Sequence, residues 1–89
     1  MRKDIQLLAD IQADLPMIDL HATGGITDAL TMLDQELYHL SLQKTLACRV
    51  VYGIGEGVLR RAVLQELKRH PLVQGVVEES SGGSAVIGL

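Results

Sequence analysis

The sequence predicts one small α/β domain, an α+β sandwich of order βαβαββ in which a mixed four-stranded sheet carries two helices, with an N-terminal helix added in front. Three observations predict it. Short aliphatic runs alternate with two longer stretches of helical period. Glycine-rich turns or prolines stand at the changeovers, at Pro16, Gly24-Gly25, Gly53 to Gly57, Pro71 and Gly82-Gly83. The chain has 89 residues, and one so short buries only about 60–65% of its unfolded surface, so every apolar stripe must serve one core.

Residues 1–15 read as an extension and residues 16–89 as the domain proper. In the extension Ile5, Leu8, Ile11 or Gln12, and Leu15 recur at helical spacing, which predicts a helix over residues 4–15 begun near Asp4 and stopped by Pro16. Met17-Ile18-Asp19-Leu20-His21 reads as a strand, and Ala22-Thr23-Gly24-Gly25 as a loop. From Ile26 the period is helical: Ile26, Ala29, Leu30, Leu33, Leu37 and Leu40 form one stripe, which ends around Ser41 to Lys44. Asp28 in its first turn suits the helix dipole.

Leu46 to Tyr52 is apolar on both faces, as a central parallel strand covered by helices should be. The turn Gly53-Ile54-Gly55-Glu56-Gly57 opens a second helix that points Leu59, Ala62, Val63, Leu67 and His70 inward and ends at Pro71. Leu72–Glu78 and Ser84–Leu89 read as two more strands, joined through Glu79-Ser80-Ser81-Gly82-Gly83 as a hairpin. Alternating helices and strands imply right-handed crossovers and a parallel core, and the closing hairpin makes the sheet mixed.

Composition narrows the function classes. There are two Tyr and no Phe or Trp, so the core is aliphatic and the aromatic platforms of single-strand binders are missing. A net charge of −3 argues against strong non-specific binding to a polyanion. The lone Cys48 sits in an apolar run and reads as a buried, inert thiol in a reducing, cytoplasmic compartment. No apolar run reaches the length of a signal peptide or a membrane span.

Three polar islands interrupt the apolar frame. Asp19 and His21 are two apart at the C-terminal end of a strand, on one face and where ligands bind in open α/β sheets. Gly53, Gly55 and Gly57 lie between a strand and a helix, where backbone N–H groups and the helix dipole favour an anion. No Gly-Lys-Ser/Thr follows, and the third glycine comes one residue early for a dinucleotide turn, so an external phosphate fits better than a mononucleotide or NAD. The third island is the loop around Gly82 and Gly83.

Ile18-Asp19-Leu20-His21, then Val50-Val51-Tyr52-Gly53-Ile54-Gly55-Glu56-Gly57-Val58-Leu59-Arg60, and then Gly82-Gly83-Ser84-Ala85-Val86-Ile87-Gly88-Leu89 resemble, in order, the three motifs of the Smr (small MutS-related) domain family. The resemblance runs from Ile18 to Leu89. It implies a fold like the C-terminal domain of translation initiation factor three, and nucleic-acid binding with DNA nicking or RNA cleavage in several members. The departures are Tyr52 in place of the histidine of His-Gly-x-Gly, Ala22 in place of the glycine after Asp-Leu-His, and the loss of the third glycine in the closing loop at Ser84 or Ala85.

Two functions follow as expectations. In the first, the domain is a DNA or RNA binder and weak endonuclease. Asp19 and His21 supply acid–base chemistry, while Gly53, Gly55, Gly57, Arg60, Arg61, Gly82 and Gly83 seat phosphates. In the second, it is a non-catalytic module for a protein, a ribosome or the rest of a longer chain, with Asp19 and His21 shaping a loop. Arg61, Gln65, Lys68 and Arg69 fall near one helix face, which reads equally as a phosphate patch or a solvated face. No zinc spacing is present and no organic cofactor is implied; the need for a divalent metal is left open, and no membrane partner is expected.

Overall fold

The computed structural model describes residues 15–89. Its elements follow the predicted order: β1 (Met17–Asp19), α1 (Ile26–Leu42), β2 (Ala47–Val51), α2 (Val58–Arg69), β3 (Gly75–Glu78) and β4 (Ser84–Gly88). Of the helix expected over residues 4–15, residues 4–14 lie outside the described residues, and Leu15 belongs to no helix.

The sheet has the order β1-β2-β4-β3. β1 and β2 are parallel, while β4 is antiparallel to both β2 and β3. The expected parallel core is thus one pair. β3 nevertheless runs in the same direction as β1 and β2, because α2 carries the chain past the place that β4 later fills. Three strands therefore end, and β4 begins, on one edge of the sheet.

Both helices lie on one face. Ala29, Leu33 and Leu37 of α1 and Val63, Leu64 and Leu67 of α2 join Ile18, Cys48, Val50, Ala85 and Ile87 in a single aliphatic cluster. Each fully buried Leu in it contributes about 1.5–3 kcal/mol relative to exposure. Among the described residues, helices cover only one face of β2. Its other face holds Ala47 and Arg49, and a smaller cluster of Leu15, Ala47 and Val86 with Val77 alongside. Arg49 sits on that face in a two-pronged bond to Glu79, with Nε to Oε1 at 2.7 Å and Nη2 to Oε2 at 3.2 Å. The pattern looked apolar on both faces because Ala47 and Val51 are small or aliphatic.

α1 ends in a Schellman turn. Thr45 N–H donates to Leu40 O and Lys44 N–H to Ser41 O, each at 3.0 Å, with Lys44 left-handed at φ 60°. His70 closes α2: its Nε2 donates to Asp34 Oδ1 at 2.8 Å and its Nδ1 accepts the Leu72 N–H at 3.2 Å. That pair of bonds makes the buried imidazole a staple between the two helices.

Candidate functional site

The strand directions assemble the site. Asp19 pairs with Val51 and Val51 with Ser84, while Glu78 pairs with Ala85. The residues after β1, the glycine turn after β2, the end of β3 and the hairpin before β4 therefore gather at one sheet edge.

β1 is shorter than the sequence suggested. It ends at Asp19, and His21 lies in the turn that follows rather than on the strand. The two side chains meet through local hydrogen bonding, not strand alternation. Asp19 Oδ1 accepts the His21 backbone N–H at 3.1 Å and also bonds His21 Nδ1. Leu20 N–H still donates to Val51 O at 2.7 Å, which holds the turn against β2. Thr23 closes the turn, its Oγ1 donating to Leu20 O at 2.8 Å. The His21 hydrogen bond holds the Asp19 carboxyl below its ordinary value of 3.8. With the carboxylate on Nδ1, the ring's Nε2 has no hydrogen-bond partner among the described residues. Asp19 caps no helix, since α1 starts at Gly25 without a side-chain cap.

The glycine turn does three separate things. Gly53 is left-handed at φ 83° and packs on His21, where a Cβ would come within 3.1 Å of the histidine Cβ. Tyr52 and Gly53 N–H both donate to Gly83 O, at 3.0 and 2.9 Å, so those two amides are occupied by the hairpin. Gly57, left-handed at φ 86°, opens α2 with no side-chain cap, which leaves the helix's first amides without a side-chain acceptor. His21, the turn from Gly53 to Gly57, and Val58 to Arg60 line a half-open cavity of about 440 Å³.

Tyr52, at the position of the family histidine, is buried and donates its hydroxyl to Ser84 O at 3.0 Å. Burial pushes its phenol up, with the Glu78 carboxylate adding to the shift, so it stays a donor. Arg60 borders the cavity, but its guanidinium is paired with Glu78. Arg61, Gln65 and Lys68 line an adjoining groove of about 620 Å³ with Gly57 and Glu56. Arg69, expected on the same face, instead bonds Glu66 at 2.9 Å. Gly83 is buried at the turn, and Gly82 is left-handed at φ 82° in the hairpin. Among the described residues no three His, Cys, Asp or Glu side chains gather where they could hold a metal ion.

The sequence reading missed Glu78, Ile54 and the carbonyls of Gly83 and Ser84. Of these only Glu78 carried a signal. Once β3 is taken as running with β2, its last residue must reach the same edge as Arg60.

A two-layer fold with these tips defines a class of small α+β domains with a glycine-rich strand–helix turn beside the end of the first strand. The Smr domain family model matches residues 18–87. The crystal structure of the Smr domain of Thermus thermophilus MutS2 is similar, with a TM-score of 0.77 and 25% identity over 84% of this chain and 98% of that one. No curated protein sequence matches this chain. The chain belongs to the Smr domain family, which is known for nucleic-acid binding. Among the described residues, no helix is long and apolar enough to cross a membrane.

Proposed function

We propose that this domain grips a DNA or RNA strand at the strand tips and cleaves its backbone slowly, with a phosphate at the start of α2 and Asp19 and His21 beside it. One observation carries the reading: His21 and the uncapped start of α2 share the walls of a single cavity. The helix's free amides and its dipole suit a phosphate oxygen. The Asp19 carboxylate, bonded to Nδ1, favours the tautomer with its proton there, which leaves the Nε2 lone pair to accept one. His21 Nε2 takes a proton from water as the water oxygen bonds to phosphorus. The leaving oxygen departs with a proton returned from the imidazolium, and the amides at α2 hold the charge that develops on the non-bridging oxygens. Arg61 and Lys68 meet the next phosphates of the strand along the adjoining groove.

A second reading has its own support. Arg60 is held by Glu78, and Glu56 stands in the cavity wall, which favours a non-catalytic module that binds protein. One experiment separates them. Binding and cleavage of labelled single strands and duplexes are followed from 50 to 300 mM salt, with Mg²⁺ and with EDTA, for wild type, Asp19→Ala and His21→Ala. Two or three phosphate contacts predict a log–log salt slope of roughly −2, with cleavage lost in both variants. Equal residual cutting in all three proteins means a contaminating nuclease, and salt-independent binding favours the protein-binding module.

A further inference from the structure

Beside the phosphate cavity lies a second one, of about 350 Å³, with mostly apolar walls. The two share His21, Gly53 and Ile54. The remaining walls are Val51 and the hairpin residues Ser81, Gly83 and Ser84. Ile54 stands between the cavities and is 80% exposed, a large aliphatic side chain held out into water by glycines on both sides. Gly83 makes the room for it: a Cβ there would come within 3.2 Å of Ile54 Cγ1. Much of that volume is open to solvent, so the depression offers a nucleobase an apolar wall to lie against rather than an enclosed slot.

We infer that this pocket between the glycine turn and the β3–β4 hairpin receives an unpaired nucleobase next to the phosphate seated at α2, with Ile54 packed on the base. The inference rests on the proposed phosphate site and adds a substrate class: strands whose bases are unstacked, rather than intact duplex. Continuity argues for a base as occupant. A strand with a phosphate in the first cavity must send its neighbouring base somewhere, and the second cavity opens across Ile54. The apolar wall also supplies what the missing aromatic platforms do not, a surface on which a ring can leave water. Aliphatic side chains serve as such wedges at unstacked base steps.

The test uses short single-stranded DNA and RNA oligonucleotides, the same strands with one abasic position, and the matching duplexes. Wild type binds the intact strand about fivefold to tenfold tighter than the abasic one. Ile54→Ser brings the ratio of intact-strand to abasic-strand affinity to about one, with the salt slope of each strand unchanged. Gly83→Ala, which narrows the pocket, also reduces the preference. Wild type binding intact and abasic strands equally, or Ile54→Ser weakening every strand alike, overturns the base pocket and leaves the phosphate site standing. No salt-dependent binding of any strand overturns both.

Discussion

The contact of Gly53 with His21 can be tested by a matched pair of substitutions. Gly53 and Gly57 have nearly the same φ, 83° and 86°. Alanine at either position takes on a left-handed conformation costing about 1–2 kcal/mol, partly offset by about 0.4–1 kcal/mol from a less flexible unfolded chain. Both variants should therefore lose about 1 kcal/mol from backbone strain. They differ in what the new methyl meets. At Gly57 nothing lies within 4 Å, whereas at Gly53 the methyl comes 3.1 Å from His21 Cβ. His21 must retreat by a few tenths of an ångström, and its N–H is already 3.1 Å from Asp19 Oδ1. Weakening that bond adds about 0.5–1.5 kcal/mol.

Urea unfolding should then rank the proteins wild type, Gly57→Ala, Gly53→Ala. In a domain this small each kcal/mol lowers the Tm by roughly 4–8 °C. The imidazole ¹⁵N resonances of His21 should move in Gly53→Ala and stay put in Gly57→Ala. Equal losses of stability with unchanged His21 signals in both would refute the claim that Gly53 is glycine because the histidine turn packs on it.

Three further outcomes follow from the structure. Lys44→Gly should raise stability by about 0.5–1 kcal/mol in thermal unfolding, because Lys44 holds the left-handed position of the Schellman turn after α1. Arg49 holds the Glu79 carboxyl below its ordinary value of 4.5, with Ser84 assisting. The stabilisation is therefore complete above that value and is lost as pH falls through the lower folded value, so Glu79→Gln should flatten the acid limb of a stability–pH curve. Cys48 is fully buried and its thiol is pushed up to about 12. Iodoacetamide at pH 8 should leave it untouched until urea unfolds the domain, and labelling of the native protein would contradict that burial.

What the sequence made legible was local. Prolines and glycines punctuate the chain for steric reasons that need no neighbour, so five of the changeovers were readable. Aliphatic period alone assigned Leu33, Leu37, Val63 and Leu67 to the core, and they are buried. Leu64 was missed because it is one residue off the expected stripe, yet packing between α2 and the sheet takes it in. The order of the strands was not legible: no local signal says that β4 inserts between β2 and β3. Without that insertion neither the Arg60–Glu78 pair nor the Tyr52–Ser84 bond can be deduced. Asp19 and His21 were picked for strand alternation, but a carboxylate accepting a backbone N–H two residues on ended the strand first.

The charge arrangement limits how such a site can work. Arg49, Arg60 and Arg69 each have a carboxylate partner, so Arg61 and Lys68 are the cations of the groove with no such partner among the described residues. A phosphate at α2 must draw on amides and on those two, or displace Glu78 from Arg60. Displacement exchanges one anion for another on the same guanidinium, which gains little Coulomb energy and leaves Glu78 as a like charge nearby. Affinity then depends on the fit of the amides more than on net charge, as an acidic domain requires. Glu78→Gln removes the competitor. It should tighten phosphate-dependent binding several-fold at low salt and leave duplex and single strand affected alike, whereas unchanged affinity would mean that Arg60 takes no part in the site.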